Sequence, residues 1–167
     1  RNLAKRDRLR KLSLIRYADD FVVIANEETE ILQVREHIQK WLENECGLTL
    51  SKEKTIVKST IQGFDFLGFH LISLKKPQEE KHTFRIHISK SSKKRFLQKT
   101  RTIFQNHRSA SAGHMVTMLN PIITGWCNYF RFCDCTRDFK QVEFAFFGQL
   151  RAWVFRRQSK GLNTREK

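Results

Sequence analysis

What the 167 residues lack excludes several classes of protein. No apolar run approaches the roughly 20 residues that a membrane-spanning helix needs. No signal peptide pattern is visible either. Cysteine occurs only four times, at positions 46, 127, 133 and 135. With nothing pointing to secretion, reduced thiols are expected. Cys133-x-Cys135 has no matching second pair, so a zinc site is not expected, and the four read as small core residues and a free surface thiol. His70, His82 and His87 lack metal-ligand spacing and read as structural or surface residues. No internal repeat is present.

The most informative scarcity is of acid. From Lys81 to Cys133 there is not one Asp or Glu. Residues 1–80 carry 14 Lys/Arg against 13 Asp/Glu, whereas residues 81–167 carry 18 against 4. Nearly all of the net charge of +15 therefore lies in the second half. Such a half repels itself unless it meets a polyanion, which points to nucleic acid. An anionic membrane would favour a basic amphipathic helix at a terminus. Here the cations are spread over several elements, so no membrane partner is expected.

What is present makes a globular chain of one to two domains, with 40% hydrophobic residues. Its centre is Leu14-Ile15-Arg16-Tyr17-Ala18-Asp19-Asp20-Phe21-Val22-Val23-Ile24. Ser13–Arg16 and Phe21–Ala25 read as strands and Tyr17–Asp20 as the hairpin turn between them. The turn would lift Asp19 and Asp20 together to one sheet edge. Two close carboxylates repel unless solvent or a cation intervenes, and hard oxygen ligands suit Mg²⁺. A polar turn of no chemical consequence is the plain alternative.

A helix then follows, capped by Asn26 and ending at Gly47. Ile31, Val34, Ile38, Trp41 and Leu42 form its inner face. Thr55–Lys58 reads as a strand, with Lys54 just before it. Gly63–Leu71 reads as a buried aromatic strand. Phe66–Ser73 is expected to pair with Thr83–Ser89, whose Phe84, Ile86 and Ile88 alternate with polar residues. Residues 75–81, with Pro77, form a loop.

Ser91 or Ser92 can cap a helix running to about Asn106, with Phe96, Leu97, Thr100, Ile103 and Phe104 inward. Lys93, Lys94, Arg95, Lys99 and Arg101 surround the rest of it without acidic compensation, which favours phosphate contact over a solvated face. Ser109–Gly113 reads as a linker, followed by a small helix and a new helix start at Asn120-Pro121. A last helix, about Arg137–Arg157, has Phe139, Val142, Phe146, Leu150, Trp153 and Val154 as its stripe. Arg151, Arg156, Arg157 and Lys160 make its end basic.

Two strings carry a family resemblance. Ile15–Val23, with its Tyr17-Ala18-Asp19-Asp20 box, resembles the catalytic hairpin of reverse transcriptases, most closely those encoded by group II introns. Leu119-Asn120-Pro121-Ile122-Ile123-Thr124-Gly125-Trp126-Cys127-Asn128-Tyr129-Phe130-Arg131 resembles the signature of their maturase domain. Thr124 and Cys127 depart from it, where Arg and Ala would be expected. Losing that Arg would weaken one RNA contact.

The resemblance implies an α+β fold: a partial palm over residues 1–74, the passage into a helical thumb over 75–108, and a helical maturase domain over 109–167. It implies Asp19 and Asp20 as catalytic and Mg²⁺-binding residues, forming half of a two-metal site. The remaining carboxylate and the nucleotide-binding fingers would come from a preceding segment or a partner chain. Tyr17 and Ala18 would lie at the nucleotide. Phe66, Leu67 and Gly68 would lie at the primer end, and Lys54 near the nucleotide's phosphates, unless it is only a surface lysine. The partners implied are intron RNA and an RNA template with a DNA primer. The basic residues above would contact RNA together with Asn128, Tyr129 and Arg131, while Trp126 reads as core first. The implied setting is a bacterial cytoplasm or an organellar matrix or stroma. A truncated, non-catalytic remnant acting as an RNA chaperone is the alternative.

Overall fold

A computed structural model shows an α+β chain with two small antiparallel sheets and four helices among the described residues. It describes residues 12–51, 53–75 and 82–162, with 157–162 described by backbone alone. The basic stretch 1–11, most of the expected loop around Pro77 and the tail beyond 162 lie outside the described residues. The chain divides between Ser59 and Thr60 into two compact units.

In the first unit β1 (Leu12–Tyr17) pairs with β2 (Asp20–Ala25), in a register from Leu12↔Ala25 to Tyr17↔Asp20. The turn is thus only Ala18 and Asp19. Tyr17 and Asp20, expected inside it, close the ladder instead. α1 (Glu28–Cys46) packs against β2 through half-buried Ile31, Val34, Ile38 and Leu42. Trp41 falls at the edge of that stripe and is 54% exposed, not inward as its spacing suggests. The N-cap is Glu27, one residue past Asn26, with no side-chain cap bond. Glu28 and Glu30 still occupy the first turn, where the helix dipole favours them. Gly47, at φ 63°, ends the helix as expected.

Thr55–Lys58 forms no ladder. Lys54 N–H and Thr55 N–H close a turn on the Ser51 carbonyl at 3.2 and 2.9 Å, and the chain then runs irregularly to Ser59. β propensity does not make a strand where no partner edge is engaged. No described residue of this unit is fully buried. The adjacent Leu14 and Ile15, on opposite faces of β1, are both exposed.

The second unit opens with a meander of β3 (Phe64–Phe66), β4 (Phe69–Lys75) and β5 (His82–Ile88). The aromatic string is therefore not one strand. Leu67 and Gly68, at φ 49° and 83°, make a two-residue turn inside it. Positive φ at both positions matches the twist of the flanking strands. β4 and β5 pair from Phe69↔Ile88 to Lys75↔His82.

α2 (Lys90–Asn106) is capped by Ser89, two residues before the nearest expected cap that is helical, Ser91. Ser89 Oγ accepts the Ser92 N–H at 3.1 Å. α3 (Ala112–Phe130) is continuous, capped by Ser111, and carries Pro121 in its interior. The expected break at Asn120-Pro121 does not occur. Proline removes one helical bond and crowds the carbonyl a turn before it, but Met115, Leu119 and Ile123 pack into one core on both sides of it and offset that cost. α4 (Thr136–Leu162) completes the unit.

Phe104, Met115, Leu119 and Trp153 form the core between the three helices. Ile88, Phe130 and Cys135 form a second cluster with Phe69, Trp126 and Phe139. Polar ties fix the packing. Trp153 Nε1 donates to the His107 carbonyl at 3.1 Å. The fully buried Thr100 hydroxyl lies 2.8 Å from Gln149 Oε1.

Asp138, 7% exposed, ties three elements. Its carboxylate accepts from Ile88 N–H at 3.1 Å at the end of β5 and from Lys93 Nζ at 2.6 Å on α2. His87 Nδ1 lies 3.6 Å away. Burial alone would raise the carboxyl's pKa. The Lys93 and Ile88 hydrogen bonds, with the charges of Lys93 and His87, outweigh it and hold the pKa below the usual value. A depressed folded pKa adds stability above the unfolded value, about 3.9, and loses it as pH falls through the folded one. Asp138→Ala, which strands Lys93, is expected to cost about 3 kcal/mol in urea unfolding at neutral pH. Below about pH 4 the gap to wild type should narrow. A pH-independent gap would contradict the ionised tie.

Candidate nucleic-acid interface

The hairpin tip presents Asp19 in the turn and Asp20 as the first residue of β2, both exposed. Ala18 is held at φ 51°, an uncommon conformation for a residue with a Cβ, and Arg16 Nε donates to its carbonyl at 2.8 Å. Tyr17 is exposed beside them. Lys54 is exposed in its turn, and no contact joins it to the carboxylates among the described residues. Also among the described residues, no group of three His, Cys, Asp or Glu is placed to hold a metal ion. The tip offers two exposed carboxylates, and carboxylate oxygens are the hard donors that Mg²⁺ takes.

Phe66, Leu67 and Gly68 are half-buried in the second unit. The Leu67 carbonyl accepts from Tyr129 Oη at 2.9 Å, and the Gly68 carbonyl from Ser89 N–H at 3.0 Å. A Cβ on Gly68 would come within 2.7 Å of Ser92 Oγ and 3.5 Å of the Phe130 ring. This glycine is required by close approach as well as by φ. The turn thus seats the sheet on α2 and α3. Tyr129 stacks on Phe69 with ring centroids 5.3 Å apart, so it serves packing while remaining partly exposed. Trp126 stacks on Phe96 at 4.6 Å and meets Phe130 and Phe139 edge-on or tilted, as the core-first reading expects. Asn128 and Arg131 are exposed, with the Arg131 guanidinium 4.5 Å over the Phe132 ring.

The basic helix α2 divides in two. Lys93 is partly buried and bound to Asp138 and to Gln141 Oε1 at 3.2 Å. It does not lack acidic compensation, because a carboxylate 45 residues later in the chain supplies it. Lys94, Arg95, Lys99 and Arg101 are exposed. Arg95 reaches Ser92 Oγ at 3.4 Å. Lys90, Lys93, Lys94, Leu97, Arg101 and Gln149 line an open groove of about 380 Å³. On α4, Arg151 and Arg156 are exposed, while the Arg157 side chain lies outside the described residues.

The thiols are quiet. Burial, then the hydrogen bond and charge of Cys135, push Cys133 up to about 12. Burial likewise raises Cys127. Both remain protonated at neutral pH, which disfavours thiolate chemistry.

Two family models match the chain. Residues 2–71 match the reverse transcriptase (RNA-dependent DNA polymerase) family. Residues 93–167 match the group II intron, maturase-specific domain. Together the two matches support a group II intron reverse transcriptase/maturase. No curated protein matches it.

The reverse-transcriptase match contains the hairpin, and the maturase-specific match opens at Lys93, the cation tied to Asp138. No described helix is long and apolar enough to cross a membrane. Two features lay outside the expected sites. Asp138 has no local pattern to mark it, because its partners are distant in sequence. The outer side of α4 carries Phe144, Phe147 and Phe155, a second stripe at helical spacing beside the inner one. Trp126→Ala is expected to cost roughly 3 kcal/mol of stability. Unchanged melting would contradict its place in the core.

Proposed function

We propose that the intact protein copies RNA into DNA and binds its intron RNA to assist splicing. The observation that carries the first part is the pair Asp19 and Asp20 at the tip of an exposed two-residue turn within the reverse-transcriptase match. The proposed division assigns residues 1–74 to the palm, 75–108 to the passage into the thumb, and 109–167 to the maturase domain.

Asp19 and Asp20 would hold Mg²⁺, which when bound would activate the primer 3′-hydroxyl and neutralise charge at the nucleotide's α-phosphate. The chain's own share is to place two carboxylates side by side at the end of a strand ladder. Tyr17 and Ala18 would border the nucleotide, and Lys54 would meet its phosphates. Phe66, Leu67 and Gly68 would support the primer end through the turn they form. A further carboxylate, from outside the described residues, would complete the cage.

For RNA, the exposed cations Lys94, Arg95, Lys99, Arg101, Arg151 and Arg156, with Arg157, would neutralise phosphates. Asn128, Tyr129 and Arg131 would add hydrogen bonds and stacking. Lys93 would act through its tie to Asp138. The alternative function is that of an RNA-binding protein without catalysis.

Two measurements test these readings. Binding to intron RNA should weaken with salt, log K against log salt sloping by about −4 to −7 for roughly 5–8 neutralised phosphates. Changing Lys94, Lys99 and Arg101 together to Ala should make that slope shallower by about 2–3, with melting unchanged. A slope that stays the same would remove α2 from the interface. In primer extension on an RNA template with Mg²⁺, the 167-residue chain alone is expected to be inactive. Activity should appear when a fingers-and-early-palm segment of a relative is supplied. Asp19→Ala should then abolish it and leave RNA binding intact. Extension by the isolated chain that survives Asp19→Ala would overturn the catalytic assignment. Failure of every restored enzyme, with RNA binding intact, would favour the non-catalytic reading.

A further inference from the structure

We propose that the outer face of α4 is a stacking platform for unpaired bases of RNA, a reading that rests on the RNA-binding function proposed above. α4 has two apolar sides. The inner one, with Val142, Phe146 and Trp153, fills the core. Residues at about 100° intervals place Arg137, Lys140, Phe144, Phe147, Arg151 and Phe155 on the opposite side. The three phenylalanines are 83%, 59% and 52% exposed. All three cations are exposed as well. Between Thr136 and Leu162 the only carboxylates are Asp138, which is buried, and Glu143, which lies to the side of this face.

A large exposed aromatic surface is costly in water and marks a contact site. Its charge decides what it contacts. A face meant for another apolar helix needs no cations along its midline. Here Lys140 and Arg151 alternate with the rings, and the half of the chain that bears them is strongly positive. The occupant must therefore offer flat apolar surfaces and negative charge in alternation. Unpaired RNA does so, with bases for the rings and phosphates for the cations. A duplex hides its base faces, and cannot. The Arg151 guanidinium already lies 5.2 Å from the Phe155 ring centre, which fixes one planar surface in place. From Phe144 to Phe155 the platform runs roughly 16 Å, long enough for more than one base. The maturase-specific match includes this helix.

The test measures binding of the whole chain to a single-stranded oligouridylate and to an RNA duplex of equal length. Phe144, Phe147 and Phe155 are changed together to Ala, and separately to Leu. The Ala variant should lose roughly 10- to 100-fold in affinity for the single strand. Its duplex binding should change less than about threefold, and its salt slope should stay that of wild type, because no charge is removed. The Leu variant should not recover the loss, since leucine buries apolar area but offers no ring face. Phe144→Ala alone, at the most exposed ring, gives the same direction should the triple variant melt early. Unchanged single-strand affinity, in a wild type that binds RNA, overturns the platform and leaves the RNA-binding function standing. Recovery by leucine overturns stacking in favour of an apolar protein contact. So does a wild type that self-associates while the Ala variant is monomeric with RNA affinity intact. No RNA binding by wild type overturns both readings.

Discussion

A single carboxylate holds the second unit in register. Asp138 accepts from the backbone at the end of β5, neutralises a lysine on α2 and belongs itself to α4. Taking a carboxylate and an ammonium out of water is costly, and only their mutual contact with further hydrogen bonds offsets it. Here the backbone N–H of Ile88 supplies such a bond, so the pair has one well-satisfied geometry. That geometry sets where α2 leaves the sheet and where α4 begins beside the end of β5. The Leu67-Gly68 turn adds a second point of registry, through Tyr129 and Ser89. Between these two points the aromatic cluster of Phe69, Phe96, Trp126 and Phe130 fills the remaining space.

The two units meet the burial problem differently. Three long helices and a sheet give the second unit two buried clusters. The first has one helix against a two-stranded ladder, and apolar residues on both faces of β1 remain exposed. Strands apolar on both faces are those that sit between covering layers. The sequence of β1 and β2 is written for a more deeply covered setting than the described residues provide.

Local chemistry made much of this legible. The hairpin was readable because two β-prone runs flank a polar pair, and the inner stripes of α2 and α4 because their spacing is regular. What failed depended on partners or on subtle geometry. Thr55–Lys58 has strand-forming residues but no neighbour to pair with. Pro121 reads as a helix start, yet the apolar side chains before and after it pack into the same core and carry the helix through. Leu67-Gly68 hides a turn within an aromatic run, since leucine is an unusual residue at φ 49°. Lys93 looked uncompensated only because its counter-charge lies in another helix. At the candidate site the two carboxylates announced themselves by adjacency, whereas Phe144, Phe147 and Phe155 were masked by a second stripe of equal period.

The distance between Lys93 and Asp138 along the chain has a bearing on how the protein comes into being. Synthesis proceeds from the N-terminus, and segments fold as their partners emerge. The sheet and α2 are complete while their neutralising residue is still unmade. Until α4 is added, the most basic of the described helices stands without its acid and the end of β5 lacks its acceptor. The nascent chain therefore passes through a stage in which its positive charge runs ahead of its fold. Closure of the last helix then withdraws one cation from that surface and locks the sheet against the helices in the same event.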